Sequence, residues 1–379
     1  MSSVEFLFWF FLILGIYPYV LYPLLARLLA SIAGRRIDRQ AFTPRISILI
    51  SAYNEAKHIE TTVRNKLAQD YAGEFEILVA SDGSSDGTDE IVTRIAAEDV
   101  RVRLIRQEPR QGKTAALNKL IELATGEVVI FSDANSLYRA DTVRLLVENF
   151  SDPSVGYVTG KMVYVNPDGS MIGDGCSAYM RYENWLRAVE SSLGSIVGVD
   201  GGVDAVRRGL YRRMSADQLP DFVLPLAVVQ QGRRVVYDER ALLQEDTLSD
   251  QGAEFRMRVR VALRALWALR AERVLLFGSA GALFAWQLWS HKALRYMSFL
   301  PLGLACVLNV WLISAGPLYQ ALLVGQGLFW LATLLGRAGI AWAPIRFSLY
   351  FLLLNVASAL AFSRFLRGER IVTWQPRLG

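Results

Sequence analysis

Three polar clusters hold the residue types that chemistry on a charged small molecule needs. Tyr53-Asn54-Glu55 follows the apolar run ISILISA, Asp82-Gly83-Ser84-Ser85-Asp86-Gly87 follows EILVAS, and Asp133-Ala134-Asn135 ends VVIFSDAN. A carboxylate beside a core is rarely tolerated unless something cationic compensates it. Taken singly, each cluster also reads as a turn or helix cap, where Asp and Asn are common. Lys113, in RQGKTAALNKL, is a candidate for an anionic ligand once the clusters are considered together. A fourth acid, Asp221, precedes FVLPLAVVQQG and by itself reads as a helix N-cap.

Familiar alternatives fail on spacing. Asp82, Ser84, Asp86 and Gly87 match the opening of a calcium loop, but Thr93 stands where the bidentate Glu belongs. No G-x-G-x-x-G follows a strand, and the glycines around Lys113 are not spaced as a phosphate loop. The two histidines, His58 and His291, cannot build a His-rich or zinc centre. Cys176 and Cys306 are too far apart in sequence to suggest a disulfide framework.

The elements that must position the clusters alternate. Strand-like runs cover 45–53, 76–81, 101–106 and 127–133, with helical stretches near 56–69, 87–98 and 112–124. This βαβ rhythm predicts a mostly parallel sheet covered on both faces, in an α/β fold of Rossmann-like character. Ligands of such sheets bind at the carboxyl ends of the strands, where all three clusters fall.

Outside this region the chain is apolar. It has 379 residues, 53% of them hydrophobic. Through Phe255 there are 27 Lys/Arg against 34 Asp/Glu; from Arg256 onward there are 14 against 2, Glu272 and Glu369. An acidic-leaning first part with a basic, apolar tail suggests a cytosolic domain joined to a membrane region. Phe6 to Ala26 is 21 residues without a charge, enough to cross about 30 Å of hydrocarbon at about 1.5 Å per residue. The flank before it holds Glu5 and no base, so a retained span is expected rather than a signal peptide. Arg35, Arg36 and Arg39 then place the next domain in the cytoplasm.

In EFRMRVRVALRALWALR, Phe255, Val259, Ala262, Leu266 and Leu269 share one helical face, with Arg256, Arg260 and Arg264 beside it, as in an interfacial helix. Spans near 297–315, 318–336 and 346–363 follow, and 274–290 could cross or lie at the surface. The expected organisation is a transmembrane helix over 1–34, a catalytic domain over 45–250 and an amphipathic helix over 253–271. A region of three or four membrane segments over 274–366 and a tail over 367–379 complete it.

ISAYNEAKHIETTVRNKL, DGSSDGT, GKTAALN and SDAN occur in order, followed by GVDGGVDAVRRGLY and PDFVLPLAVVQQG. Together, over roughly residues 45–270, they resemble the family 2 glycosyltransferases of GT-A fold, in the membrane-embedded branch of hyaluronan, cellulose and exopolysaccharide synthases. The resemblance implies that Tyr53 and Glu55 hold the base and ribose of a nucleotide-sugar and that Asp82 hydrogen-bonds uracil. It places Lys113 near the nucleotide, and Asp133 with Asn135 on a Mg²⁺ or Mn²⁺ that bridges the diphosphate. Gly201 and Gly202 belong to the loop approaching the acceptor, Asp221 stands where the catalytic base does, and Arg260 meets the diphosphate.

Departures matter as much. The second metal-side acid is Asn135, Ser81 replaces a frequent Asp, and Pro220 replaces an acid. The processive branch's Q-x-x-R-W reads Met257-Arg258-Val259-Arg260-Val261, which keeps the Arg and loses Gln and Trp. The expectation is an inverting, metal-dependent transferase of a bacterial plasma (inner) membrane, with a multi-pass chain and a cytoplasmic catalytic domain. It moves one or a few sugars from a nucleotide-sugar, a UDP-sugar for preference, to a lipid-linked or saccharide acceptor in envelope or exopolysaccharide synthesis. Membrane lipids are expected partners and nucleic acid is not. The rivals are a processive synthase that extrudes its polymer and, remotely, a transporter with a nucleotide-sensing domain. The transporter would want ionisable residues inside the spans, and 297–315, 318–336 and 347–363 contain none.

Overall fold

The computed structural model describes residues 2–165, 178–246, 251–340 and 342–371. Cys176 and the end of the tail, 372–379, lie outside the described residues. The chain divides into two compact units. One comprises Met1–Arg27, Leu248–Leu276 and Ala285–Arg370; the other comprises Leu28–Thr247, Phe277–Phe284 and Ile371–Gly379.

The second unit is built on an eight-stranded sheet. Its strands are β1 (Ile46–Ala52), β2 (Phe75–Ser81), β3 (Val102–Arg106), β4 (Val128–Asp133), β5 (Leu137–Tyr138), β6 (Val155–Val165), β7 (Asp204–Arg207) and β8 (Arg234–Asp246). They lie in the order β3-β2-β1-β4-β7-β6-β8-β5. The first four pair in parallel, as the alternation predicted. All seven residues of β1 are buried, the pattern of a parallel strand covered on both faces. Ala52 stands opposite Ser81, and Ser51 opposite Asp133, so the three polar clusters leave the sheet at one level.

Beyond β4 the sheet changes character. β7 runs antiparallel to both β4 and β6, and β6 pairs in parallel with β8. Val158, Val203 and Ala205 join the main core on one face. Asp204 is registered with Phe131 and Thr159, so these three share the other face.

The first unit is helical. The N-terminal region is not one straight span: helices Ser3–Ile16 and Leu21–Ala33 meet at 57°. Pro18 lies at the break and cannot donate the backbone bond that a continuous helix needs. Ala282–Met297 and Phe299–Trp311 form a second pair, also bent by 57°. Helices Pro317–Arg337 and Ala343–Leu366 are each long and apolar enough to cross a membrane, and counting each bent pair as one span gives up to four among the described residues. Phe8, Ala305, Leu312 and Tyr319 bury one another between helices Ser3–Ile16, Phe299–Trp311 and Pro317–Arg337.

The basic helix is Gln251–Ala271. Its expected apolar residues Val259, Ala262, Leu266 and Leu269 are buried, and so are Leu263, Ala265 and Ala268. It packs on Ala343–Leu366. Trp267 lies edge-on to Phe365, and its indole N–H donates to the Glu369 carbonyl.

Candidate active site

The β1 and β2 loops are stitched together by backbone–side-chain bonds. Asn54 takes a left-handed backbone (φ 53°), which Asn tolerates better than most residues. Its N–H donates to Ser84 Oγ at 3.1 Å, and Ser85 N–H donates back to Asn54 Oδ1 at 2.9 Å. Asp86 accepts from Ala56 N–H and from both the N–H and hydroxyl of Thr88. Burial works against the Asp86 charge, but these bonds outweigh it and hold the carboxyl below its usual range. Asp86 thus caps the helix Thr88–Glu98, although the cap position itself is Gly87.

Asp82 is buried and organises the next loop. Oδ1 accepts from Gln107 Nε2 at 2.6 Å and from Gln111 N–H at 2.8 Å, while Oδ2 accepts from Gly112 N–H at 2.8 Å. The Arg110 guanidinium lies 3.4 Å from the centroid of the Tyr53 ring. Arg110 also lies 3.7 Å from Asp82, so Tyr53 and Asp82 share one corner. Glu55 N–H donates to Thr88 Oγ1, and Asp82 sets the start of the helix Lys113–Leu123. Arg110 was not singled out in the sequence; its neighbours in RQGK were the available signal.

The chemical centre lies at the end of β4. Lys113 Nζ is 2.5 Å from Asp133 Oδ1. Burial alone would lower the lysine pKa, but the Asp133, Asp221 and Asp204 charges outweigh it and hold it above the usual range. Gly201 and Gly202 turn the chain here with φ of 82° and 77°, a backbone that favours glycine. A Cβ on Gly201 would meet Asp221 Oδ2 at 2.7 Å. One on Gly202 would lie 3.3 Å from both Asp133 Oδ2 and the Ser136 hydroxyl. The glycine pair is thus a thin corner with Asp221 on one side and Asp133 on the other.

Asp133, Asn135 and Ser136 offer only oxygen donors toward a metal, and Ser136 Oγ is buried without a partner. That set fits a hard divalent ion completed by substrate phosphates. Among the described residues no three acidic, His or Cys side chains form a cage by themselves.

A further acid, Asp204, is 1% exposed on β7, with the hydroxyls of Thr159 and Tyr157 beside it. Burial, and then the nearby Asp221 charge, push its pKa well above the carboxylate range. The fold therefore favours the protonated acid. That contribution is complete below the unfolded pKa of about 3.9 and is lost as pH rises through the folded value. Asp204→Asn is expected to raise the unfolding midpoint at neutral pH. A gain of about 2–4 °C corresponds to 1 kcal/mol in a domain of roughly this size. The gain should grow from about pH 4 upward, and thermal melts across pH check it; an equal gain at pH 3 would contradict the linkage.

Residues 47–186 match the family model described as Glycosyl transferase family 2. They form a family 2 glycosyltransferase domain. The chain is 29% identical over 174 residues to the beta-monoglucosyldiacylglycerol synthase of Trichormus variabilis, covering 45% of this chain and 37% of that protein. It is 39% identical over 116 residues to the poly-beta-1,6-N-acetyl-D-glucosamine synthase of Staphylococcus aureus, covering 30% and 28%. The matched stretches span about a third of the length of these curated relatives. A mannosyltransferase from Pyrobaculum calidifontis, solved with GDP-Man and Mn²⁺, superposes with a TM-score of 0.75 over 97% of this chain and 99% of that one, at 22% identity. The shared fold is GT-A.

Tyr53, Glu55, Asp82, Lys113, Asp133, Asn135, Gly201, Gly202 and Asp221 all belong to the second unit. Arg260 does not: it sits on the helix Gln251–Ala271 of the first unit. Gly201, Gly202 and Asp221 lie beyond the stretch that matches the family model, and the register of β7 with β4 brings their loop to the domain's edge.

Proposed function

We propose that the chain is a membrane-bound, inverting glycosyltransferase that uses a nucleotide-sugar, a UDP-sugar for preference, and a divalent cation. The observation that carries this reading is the Gly201–Gly202 corner, with Asp133 on one side and Asp221 on the other. Two carboxylates so separated suit two tasks. Asp133 and Asn135 would hold Mg²⁺ or Mn²⁺, which when bound neutralises charge on the leaving diphosphate. Lys113 adds a fixed positive charge beside Asp133. Asp221 takes the proton of the acceptor hydroxyl as its oxygen attacks the anomeric carbon. The bond from that carbon to the diphosphate oxygen breaks, and its electron pair leaves with the diphosphate. One displacement with no enzyme nucleophile inverts the anomeric centre.

Tyr53, Glu55 and Asp82 bind the nucleoside end, with Arg110 over the Tyr53 ring. The candidate spans support a membrane setting, with Arg35, Arg36 and Arg39 keeping the catalytic unit cytoplasmic. The names of the curated relatives support a lipid-linked or saccharide acceptor. Purified protein incubated with a panel of nucleotide-sugars and Mn²⁺ or Mg²⁺ should release nucleoside diphosphate with one donor well above the rest. Release from none would reject the reading.

Product length follows from Val261, where processive relatives carry an aromatic platform. Sugar faces stack on an aromatic without fixing one register, and a valine offers no such surface. With excess donor, products extended by one or a few sugars are expected. A high-molecular-weight polymer from the purified protein alone would establish the processive reading instead.

A further inference from the structure

A fully buried lysine lies beneath the turn that carries Asp133 and Asn135. Lys66, on the helix Ile59–Leu67, is 0% exposed. Its Nζ donates to the Ser136 carbonyl at 2.5 Å and to Asn65 Oδ1 at 3.1 Å, and lies 3.6 Å from the centroid of the Tyr138 ring. Asn65 continues the contact: Nδ2 donates to the Tyr138 carbonyl at 2.9 Å, and Oδ1 accepts from Tyr138 N–H at 2.8 Å. The Tyr138 hydroxyl lies 2.9 Å from the Phe131 carbonyl and 2.7 Å from that of Gly202. Asp133 and Asn135 are thus flanked by anchored positions at Phe131, Ser136 and Tyr138.

Lysine is among the residues least often fully buried, because its amine must find partners. Here those partners are Asn65 and the metal-side turn. Burial drives the amine's pKa well down, against the pull of the Asp133 carboxylate. Amine and ammonium alike donate to Ser136, so the anchoring does not depend on the charge.

We propose that Lys66 and Asn65 are positioning residues that hold the Asp133–Ser136 turn in the shape that binds the divalent cation. This rests on Asp133 and Asn135 as cation holders. Neither Lys66 nor Asn65 need touch the ion; they fix the backbone from which its ligands project.

The test uses full-length protein with UDP and Mn²⁺, reading free Mn²⁺ by its paramagnetic resonance signal. Lys66→Met keeps the length of the side chain and removes the amine. It is expected to melt at or above the parent temperature and to bind Mn²⁺ about tenfold more weakly, the scale of lost outer-shell support at metal sites. The Mn²⁺ midpoint for transfer should move with it, while kcat at saturating Mn²⁺ stays near the parent value. Asn65→Ala should shift Mn²⁺ affinity in the same direction, and it decides the matter if Lys66→Met does not fold. Folded variants with parental Mn²⁺ affinity overturn the proposal. Tighter binding by Lys66→Met also overturns it, since the lysine would then act by repelling the cation. A parent protein that binds no Mn²⁺ removes the cation reading itself, and this inference with it.

Discussion

Asp221→Asn is expected to bind the donor as the parent does and to lose turnover by about 10²–10⁴-fold, the usual contribution of a positioned general base. The substitution keeps the size of the side chain and removes only its ability to take a proton. The structure also removes the simplest alternative role. Asp221 is not the cap residue of its helix: that position is Leu219, Pro220 begins the helix, and Asp221 lies in the first turn. Its charge also sits favourably near the helix N-terminus, worth about 0.3–1 kcal/mol, and acts on Lys113 and Asp204. Donor affinity by calorimetry and kcat by diphosphate release separate the two. Near-normal transfer by the variant would reject the base assignment.

Asp133→Ala is expected to fail at the preceding step. Donor binding should lose its dependence on Mn²⁺, and kcat/KM should fall by about 10²–10³-fold, as when one stabiliser of developing charge is removed. Asn135 already leaves the site with one carboxylate fewer than an acid pair, so little remains to hold a cation once Asp133 is gone. Lys113 would also lose the partner that most directly holds its charge. Titrating Mn²⁺ against donor affinity checks this. A variant that keeps a parental Mn²⁺ response places the cation elsewhere. The two variants should differ in kind, one silent after binding and one deficient in it.

The strands that carry the three polar clusters were legible because their signal is local. β1 to β4 are short apolar runs separated by helical periodicity, and the observed Ile46–Ala52 and Val128–Asp133 fall within a residue or so of the expected 45–53 and 127–133. The resemblance carried by the ordered motifs supplied the candidate site residues, and all but Arg260 lie in the second unit. Pro18 was equally visible, yet the charge-free run around it read as one span. The bend shows that composition alone does not establish a straight helix.

Other features depend on pairing between distant segments, which periodicity does not encode. Asp204 is not among the candidate site residues that the sequence singles out. Only the register of β7 with β4 and β6 buries it beside Phe131 and Thr159 and raises its pKa. The burial of Lys66 depends on the Asp133–Tyr138 turn closing over it. The packing of Gln251–Ala271 on Ala343–Leu366 is likewise a pairing of segments far apart in the chain. The sequence by itself determined the parallel half of the sheet and the chemical types at its edge, because local periodicity and short motifs carry both. Tertiary structure alone decided which charges are buried and which carboxylates face each other across two glycines, because burial and distance depend on residues far away in the chain.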